Sequence, residues 1–231
     1  MIKSLLIFDI DNTLVASYAI YDEAYRLTSR EILGKEFIMT KNPDGSLDTT
    51  FSKMSNPEIL RKRVSQLEIN PETVDEKVFF ERFDENSKQV VETGDFLIFE
   101  GIRYFIKSLV NDRKLVILTS GSKKFQTTIL KRAGLLENFD LSQSLFLGDY
   151  TSKREAIEKI YQQNQASLVA HFGDAPTDMS AIREANIGAK KVAIGVIVAR
   201  LSTSDELQKA GADLIIEKFD NVTLSDLEKL V

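Results

Sequence analysis

The sequence contains no cysteine and a single histidine, His171. Without thiols, disulfides, thiolate zinc sites and a cysteine nucleophile are excluded, and the composition suits a reducing compartment. Nor is there an apolar run near the roughly 18 residues that a membrane span needs. The N-terminal apolar stretch is broken at Asp9, too early for the core of a secretory leader. An excess of charge of one sign is also missing: 30 Lys and Arg stand against 35 Asp and Glu, a net charge of -5. With the basic residues scattered, neither a nucleic-acid polymer nor an anionic membrane is expected as the main partner. The densest basic cluster, Arg61-Lys62-Arg63, reads as the wet face of a helix. Internal repeats and low-complexity segments are absent too. A soluble, cytoplasmic protein is expected, and 231 residues with 43% hydrophobic content can bury one large core or two modest ones.

What is present is a recurring alternation. Short apolar, β-rich runs occupy 4–10, 114–120, 143–149, 167–174, 191–197 and 212–217, and amphipathic helical patterns lie at 123–133, 152–164, 177–186 and 203–210. That order predicts an α/β fold, a doubly wound and mostly parallel sheet covered by helices on both faces. One connection breaks the rhythm. About 100 residues separate the first run from the second, where a crossover needs only a dozen or so. Helical patterns at 17–33, 56–69 and 72–91, with a polar turn at 40–46, fill that gap. The expected organisation is therefore a core of residues 1–15 and 93–231, with a helical domain of residues 16–92 inserted after the first strand. The hinges are expected near 14–17 and 92–98.

In such sheets ligands gather beyond the carboxyl ends of the strands, where strand order reverses. The first strand pattern ends in Asp9 and Asp11, the second in Thr119-Ser120-Gly121-Ser122, the third leads to Lys153, and the fourth ends in Gly173-Asp174 with Asp178 four residues on. Four carboxylates would then converge on one edge. Two like charges about 4 Å apart cost about 1 kcal/mol in water and about 4 in a partly shielded site, so a cation is called for. The donors are oxygens, which favours a hard ion such as Mg2+ over zinc. Thr119 and Ser120, where a strand turns into a helix, suit an anion at a positive helix end. Ser152 and Glu155 are spaced for a capping box, which places Lys153 in a first helical turn, where the dipole disfavours a cation. A bound phosphate would make that position favourable. His171, inside a strand pattern, reads as a packed or edge histidine.

These residues resemble the motifs of the haloacid dehalogenase superfamily of phosphohydrolases. "DIDNT" (9–13) is similar to the first motif, DxDx[TV]; Thr119 matches the second, Lys153 the third and "GDAPTD" (173–178) the fourth, GDxxxD. All four stand in order, and with the flanking "FEGIRYFIKSL" and "ADLIIEKF" segments the likeness runs over essentially the whole chain. The insertion looks like the family's C1 cap, as in the phosphoglycolate phosphatase-like branch. The chain departs from many of those relatives in lacking a proline after Lys153.

The resemblance implies a Mg2+-dependent phosphatase acting on a small phosphorylated metabolite. Asp9 would be the nucleophile that forms an aspartyl-phosphate, and Asp11 the general acid and then base, with its backbone carbonyl on the metal. Asp174 would complete the metal shell with Asp178 beside it, directly or through water. Thr119, Ser120 and Lys153 would hold the phosphoryl group. A phosphomutase with the same nucleophile is the closest rival. A dehalogenase needs neither the metal nor the acid at position 11. A receiver-type signalling domain would carry its acids after different strands and no insertion of this size, and an idle binding module would not keep every chemical position filled. The insertion reads as a lid whose residues select the substrate, with Lys41, Lys53 and Arg61 among the candidates. Which ester it takes, and the oligomeric state, stay open at this level.

Overall fold

A computed structural model of the chain describes residues 3–37, 56–93, 98–110, 113–199 and 201–222, with positions 226 and 229. The chain divides into two compact units, one of Met1–Ser17 with Phe96–Val231 and one of Tyr18–Asp95.

The first unit is built on a five-stranded parallel sheet: β1 (Ser4–Phe8), β2 (Arg113–Ile117), β3 (Leu168–Gly173), β4 (Lys190–Val196) and β5 (Leu214–Ile216), in the order β2-β1-β3-β4-β5. β1 lies between β2 and β3, with Phe8 level with Ile117 on one side and Phe172 on the other. The order reverses at β1, so the crevice beyond its carboxyl end is the natural ligand position of this topology.

Alternation along the strands sends Leu5, Ile7, Val116, Val169 and Ala193 into one hydrophobic core. It is closed by Ala156, Ile157 and Ile160 of α6 (Lys153–Asn164), Met179 and Ile182 of α7 (Pro176–Glu184) and Leu207 of α8 (Ser204–Lys209). On the other face Phe8 and Phe172 stack with ring centroids 4.1 Å apart. They meet Phe139 and Phe105 edge-on, the latter from α4 (Ile102–Leu109), whose buried residues 102, 105, 106 and 109 follow helical spacing. Both faces are covered, which explains why the strands read as unbroken apolar runs.

One expected strand is absent. Residues 143–149 make a single parallel bridge, Leu145 to Leu118, with the Leu145 amide donating to the Ile117 carbonyl at 2.9 Å. Beyond it the Asp149 carboxylate accepts from the Phe146 amide, and Gly148 takes a φ of 91°, so the chain turns away after one rung.

The second unit holds α1 (Ser17–Leu33, from its second residue on), α2 (Asn56–Gln66) and α3 (Glu76–Thr93). Tyr25, Phe37, Leu60, Val64, Phe79 and Phe83 form its core. The basic cluster at 61–63 is only partly a wet face. Arg61 and Lys62 are exposed and Arg61 pairs with Glu76, but Arg63 is mostly buried, 4.8 Å above the Tyr25 ring and 3.3 Å from Asp22. The aromatic face and the Asp22 carboxylate offset part of the cost of taking this guanidinium out of water. The expected turn at 40–46, Lys41, Lys53 and residues 94–97 lie outside the described residues. Among the described residues no helix is long and apolar enough to cross a membrane.

Candidate active site

The chain leaves β1 through a tight loop. The Asp9 amide donates to the Phe172 carbonyl at 2.9 Å, and the amides of Thr13 and Leu14 turn back to the Ile10 carbonyl. Asn12 takes the left-handed conformation, φ 60°, that Asn tolerates better than most residues. The Leu118 amide bonds the Phe8 carbonyl, which brings Thr119 alongside this loop from β2. From the other side, β3 delivers Gly173 and Asp174.

Asp9, Asp174 and Asp178 each offer a carboxylate oxygen, all within 4.8 Å of one another. Lys153, the first residue of α6, reaches into this group. Its Nζ lies 3.3 Å from Asp9 Oδ2 and 2.5 Å from Asp178 Oδ1. Only half of the expected capping box forms at this helix start. Ser152 Oγ accepts from the Glu155 amide at 3.2 Å, whereas the Glu155 carboxylate takes the Thr151 amide, one residue earlier than a box requires. Lys153 still occupies the first turn, and the carboxylates beside it offset the dipole penalty there.

The Asp178 carboxylate has three partners. It accepts from the Ala175 amide at 3.1 Å, thereby capping α7, and it takes Lys153 on its other oxygen. His171 Nε2 stands 3.4 Å away, in a fully buried pair. Gly173 makes this arrangement possible, because a Cβ there would fall 2.4 Å from the Asp178 carboxyl. His171 is thus packed within the sheet, its Nδ1 3.3 Å from the Ile7 carbonyl, and also stands behind Asp178. The alternation Val169, His171 on the α7 side of β3 contains that signal, but only once the strand register is known.

The remaining residues divide by exposure. Thr119 is buried, and its Oγ1 accepts from the Gly121 amide at 3.2 Å. Ser120 is exposed, with Oγ 3.4 Å from the Tyr150 hydroxyl. Tyr150 escaped the sequence reading. Asp11 stands outside the carboxylate trio, and its Oδ2 accepts from Gln126 Nε2 at 2.7 Å. Gln126 also went unnoticed. Its buried neighbours on α5 (Lys123–Ala133) are Phe125, Ile129, Leu130 and Ala133, so a glutamine on an apolar stripe was the available clue.

The electrostatics are those of an underneutralised cluster. Burial pushes the Asp9 and Asp174 carboxyls up, and the nearby carboxylates push the same way, while Lys153 opposes them. Asp174 ends well above the ordinary carboxylate range. Burial works against the charged form of Asp178 too, but Lys153 and His171 overcome it and hold that carboxyl below its usual value. Burial works against the charged form of Lys153, but Asp178 and Asp9 outweigh it and push its pKa up, favouring the ammonium. One ammonium among this many carboxylates leaves net negative charge, and every donor is oxygen. The residues fit a hard divalent ion.

A family model for haloacid dehalogenase-like hydrolases matches residues 3–186. No curated protein matches the chain. Solved structures do. A Thermotoga maritima protein provisionally assigned as a β-phosphoglucomutase superimposes with a TM-score of 0.72 at 21% identity, covering 99% of this chain and 100% of its own. An Entamoeba histolytica HAD hydrolase of family IA, variant 3, gives 0.74 at 16%, with 98% of each chain covered. CbbY from Rhodobacter sphaeroides, solved in complex with phosphate, gives 0.71 at 16%, covering 99% of this chain and 100% of its own. At these identities the likeness establishes a shared fold.

Proposed function

Because the chain belongs to the haloacid dehalogenase-like hydrolase family, we propose that it hydrolyses phosphate monoesters of small metabolites through a phosphoryl group carried on Asp9, with Mg2+ as cofactor. The observation that carries this reading is the meeting of Asp9, Asp174 and Asp178 around Lys153 beyond the carboxyl ends of β1 and β3. Asp9, Asp174 and Asp178 would hold the metal, with the main-chain carbonyl of Asp11. Once bound, Mg2+ offsets the carboxylate charge and that of the phosphoryl oxygens.

The chain's own groups supply the rest. An Asp9 oxygen attacks phosphorus, a new O–P bond forms and the ester P–O bond breaks. Asp11 gives its proton to the departing oxygen. In the second step it takes a proton from the water that attacks the aspartyl-phosphate, which frees Asp9 and releases phosphate. Lys153, Thr119 and Ser120 contribute positive charge and hydrogen-bond donors to the phosphoryl oxygens. The helical unit, Tyr18–Asp95, is read as the cap that selects the leaving group.

A phosphomutase is the second reading. It shares each of these groups and differs in passing the phosphoryl to a second hydroxyl, and the fold shared with the Thermotoga maritima protein favours keeping it. The deciding experiment is phosphate release from sugar phosphates, nucleotides and phosphoglycolate, with and without Mg2+, in the wild type and Asp9→Asn. Hydrolysis is expected only with the cation, and Asp9→Asn should retain less than about one per cent of it. An Asp9→Asn variant with near-normal turnover would overturn the covalent route. Release of phosphate only transiently, and only from a bisphosphate, would establish the mutase.

A further inference from the structure

Gln126 and Asp11 are 115 residues apart in the chain and 2.7 Å apart in space. Gln126 lies in the first turns of α5 and is fully buried, so its carboxamide gave up water to reach this carboxylate. A buried amide donor to a carboxylate is among the stronger neutral-to-charged contacts and is costly to leave unmade. A second feature, independent of the hydrogen bond, shows that the loop after β2 is shaped around it. Gly121 has no side chain where the Gln126 carboxamide passes, and a Cβ there would stand 2.0 Å from Nε2 and 2.7 Å from Cδ.

We infer that Gln126 is a positioning residue for the proton-transfer step: its hydrogen bond to Oδ2 holds the Asp11 carboxyl in the orientation from which it serves the leaving oxygen. This rests on the reading of Asp11 as the general acid and base given above. An amide suits the task better than an ammonium or a guanidinium, because it orients the carboxylate without placing a full positive charge against a group that must carry a proton. Asp9 and Asp178 take the Lys153 ammonium, whereas Asp11 takes the neutral Gln126 amide. An anchored oxygen also fixes the χ angles of Asp11, and a misplacement of about 1 Å in such a group costs on the order of a hundredfold in rate.

Esters that differ in their need for a proton provide the test. An alkyl phosphate such as a sugar phosphate leaves as an alkoxide and depends on the acid, whereas p-nitrophenyl phosphate leaves as a stable phenolate and does not. kcat/KM reports the steps up to loss of that group. Gln126→Met keeps the length and loses the donor. Gly121→Ala keeps Gln126 but displaces its carboxamide. Both variants should lose about tenfold or more in kcat/KM on the alkyl ester and less than about threefold on p-nitrophenyl phosphate, the selectivity expected when an acid is misplaced. Asp11→Asn should show the same selectivity more strongly.

Equal losses on the two esters in Gln126→Met, with a melting temperature close to wild type, would assign the residue to packing and overturn the inference. If one variant fails to fold, the other decides. A wild type that hydrolyses neither ester overturns the phosphatase reading and this inference together, whereas an active wild type with unselective variants overturns only this one.

Discussion

Lys153 is the residue on which the site's charge balance turns. It is the cation set between Asp9 and Asp178, and both the pair with Asp178 and that with Asp9 are largely out of water. Removing one member of a buried ion pair strands the others, at a cost of about 3–5 kcal/mol. Lys153→Met is therefore expected to lower the melting temperature in the absence of divalent cation and to lose phosphatase activity. Saturating Mg2+ should recover much of the stability, since it replaces charge, but little of the activity. Calorimetry with and without the ion checks this, and a variant as stable as wild type in chelator would show that the ammonium is dispensable to the fold. At this scale the sequence was informative where chemistry is written in short spacings. Asp9, Asp11, Thr119, Lys153, Asp174 and Asp178 each follow an apolar run or open a helix. The partners of Gln126, His171 and Tyr150 were not legible, because those pairings are fixed by register and helix rotation, such as Ile7 level with His171.

At the scale of elements, the turn from β3 into α7 is built on a side chain that is missing. The Asp178 carboxyl folds over Gly173, and its Oδ2 caps the helix through the Ala175 amide. Gly173→Ala is expected to destabilise the protein by about 1–3 kcal/mol, the usual cost of overpacking. It should also abolish cation-induced stabilisation, because Asp178 must swing away from Asp9 and Asp174. A thermal-shift titration reads both, and an unchanged response to Mg2+ would mean that Asp178 is not needed by the ion. Helices were easier to anticipate than strands. The repeat of buried apolar positions in α5, at 125, 129, 130 and 133, is a pattern the chain carries by itself. Whether an apolar run pairs along its length is decided by a neighbour, and "QSLFLGD" was turned aside after one bridge by Gly148 and Asp149. The same dependence on context placed Arg63 against Tyr25, away from solvent.

For the whole molecule, the carboxylate cluster makes stability a function of pH and cation together. The fold raises the carboxyls of Asp9 and Asp174, so the stability they contribute is present below the ordinary carboxylate pKa and is lost as pH rises through the raised folded values. Asp178 is depressed, so its contribution is present above the ordinary value and lost as pH falls through the lower folded one. From the ordinary carboxylate range upward, the cation-free protein therefore loses stability through Asp9 and Asp174, and this is the loss that a bound ion reverses. The rise in melting temperature produced by millimolar Mg2+ is expected to be larger near pH 7.5 than near pH 5, where protons compete for the same oxygens. Equal shifts at both values would place the ion elsewhere. The doubly wound class was legible because alternating strand and helix patterns leave few parallel arrangements. The position of β1 between β2 and β3 was not, since nothing local says which strand joins which side.

That central position ties the chemistry to the order of synthesis. Asp9 leaves the ribosome before the flanks of its strand, which come from residues 113–117 and 168–173, and Lys153 is made before Asp174 and Asp178. A nascent or truncated chain therefore has its neutralising ammonium in hand before the crowd of anions is complete. A fragment ending short of residue 178 is expected to hold Asp9 and Lys153 without the full carboxylate trio.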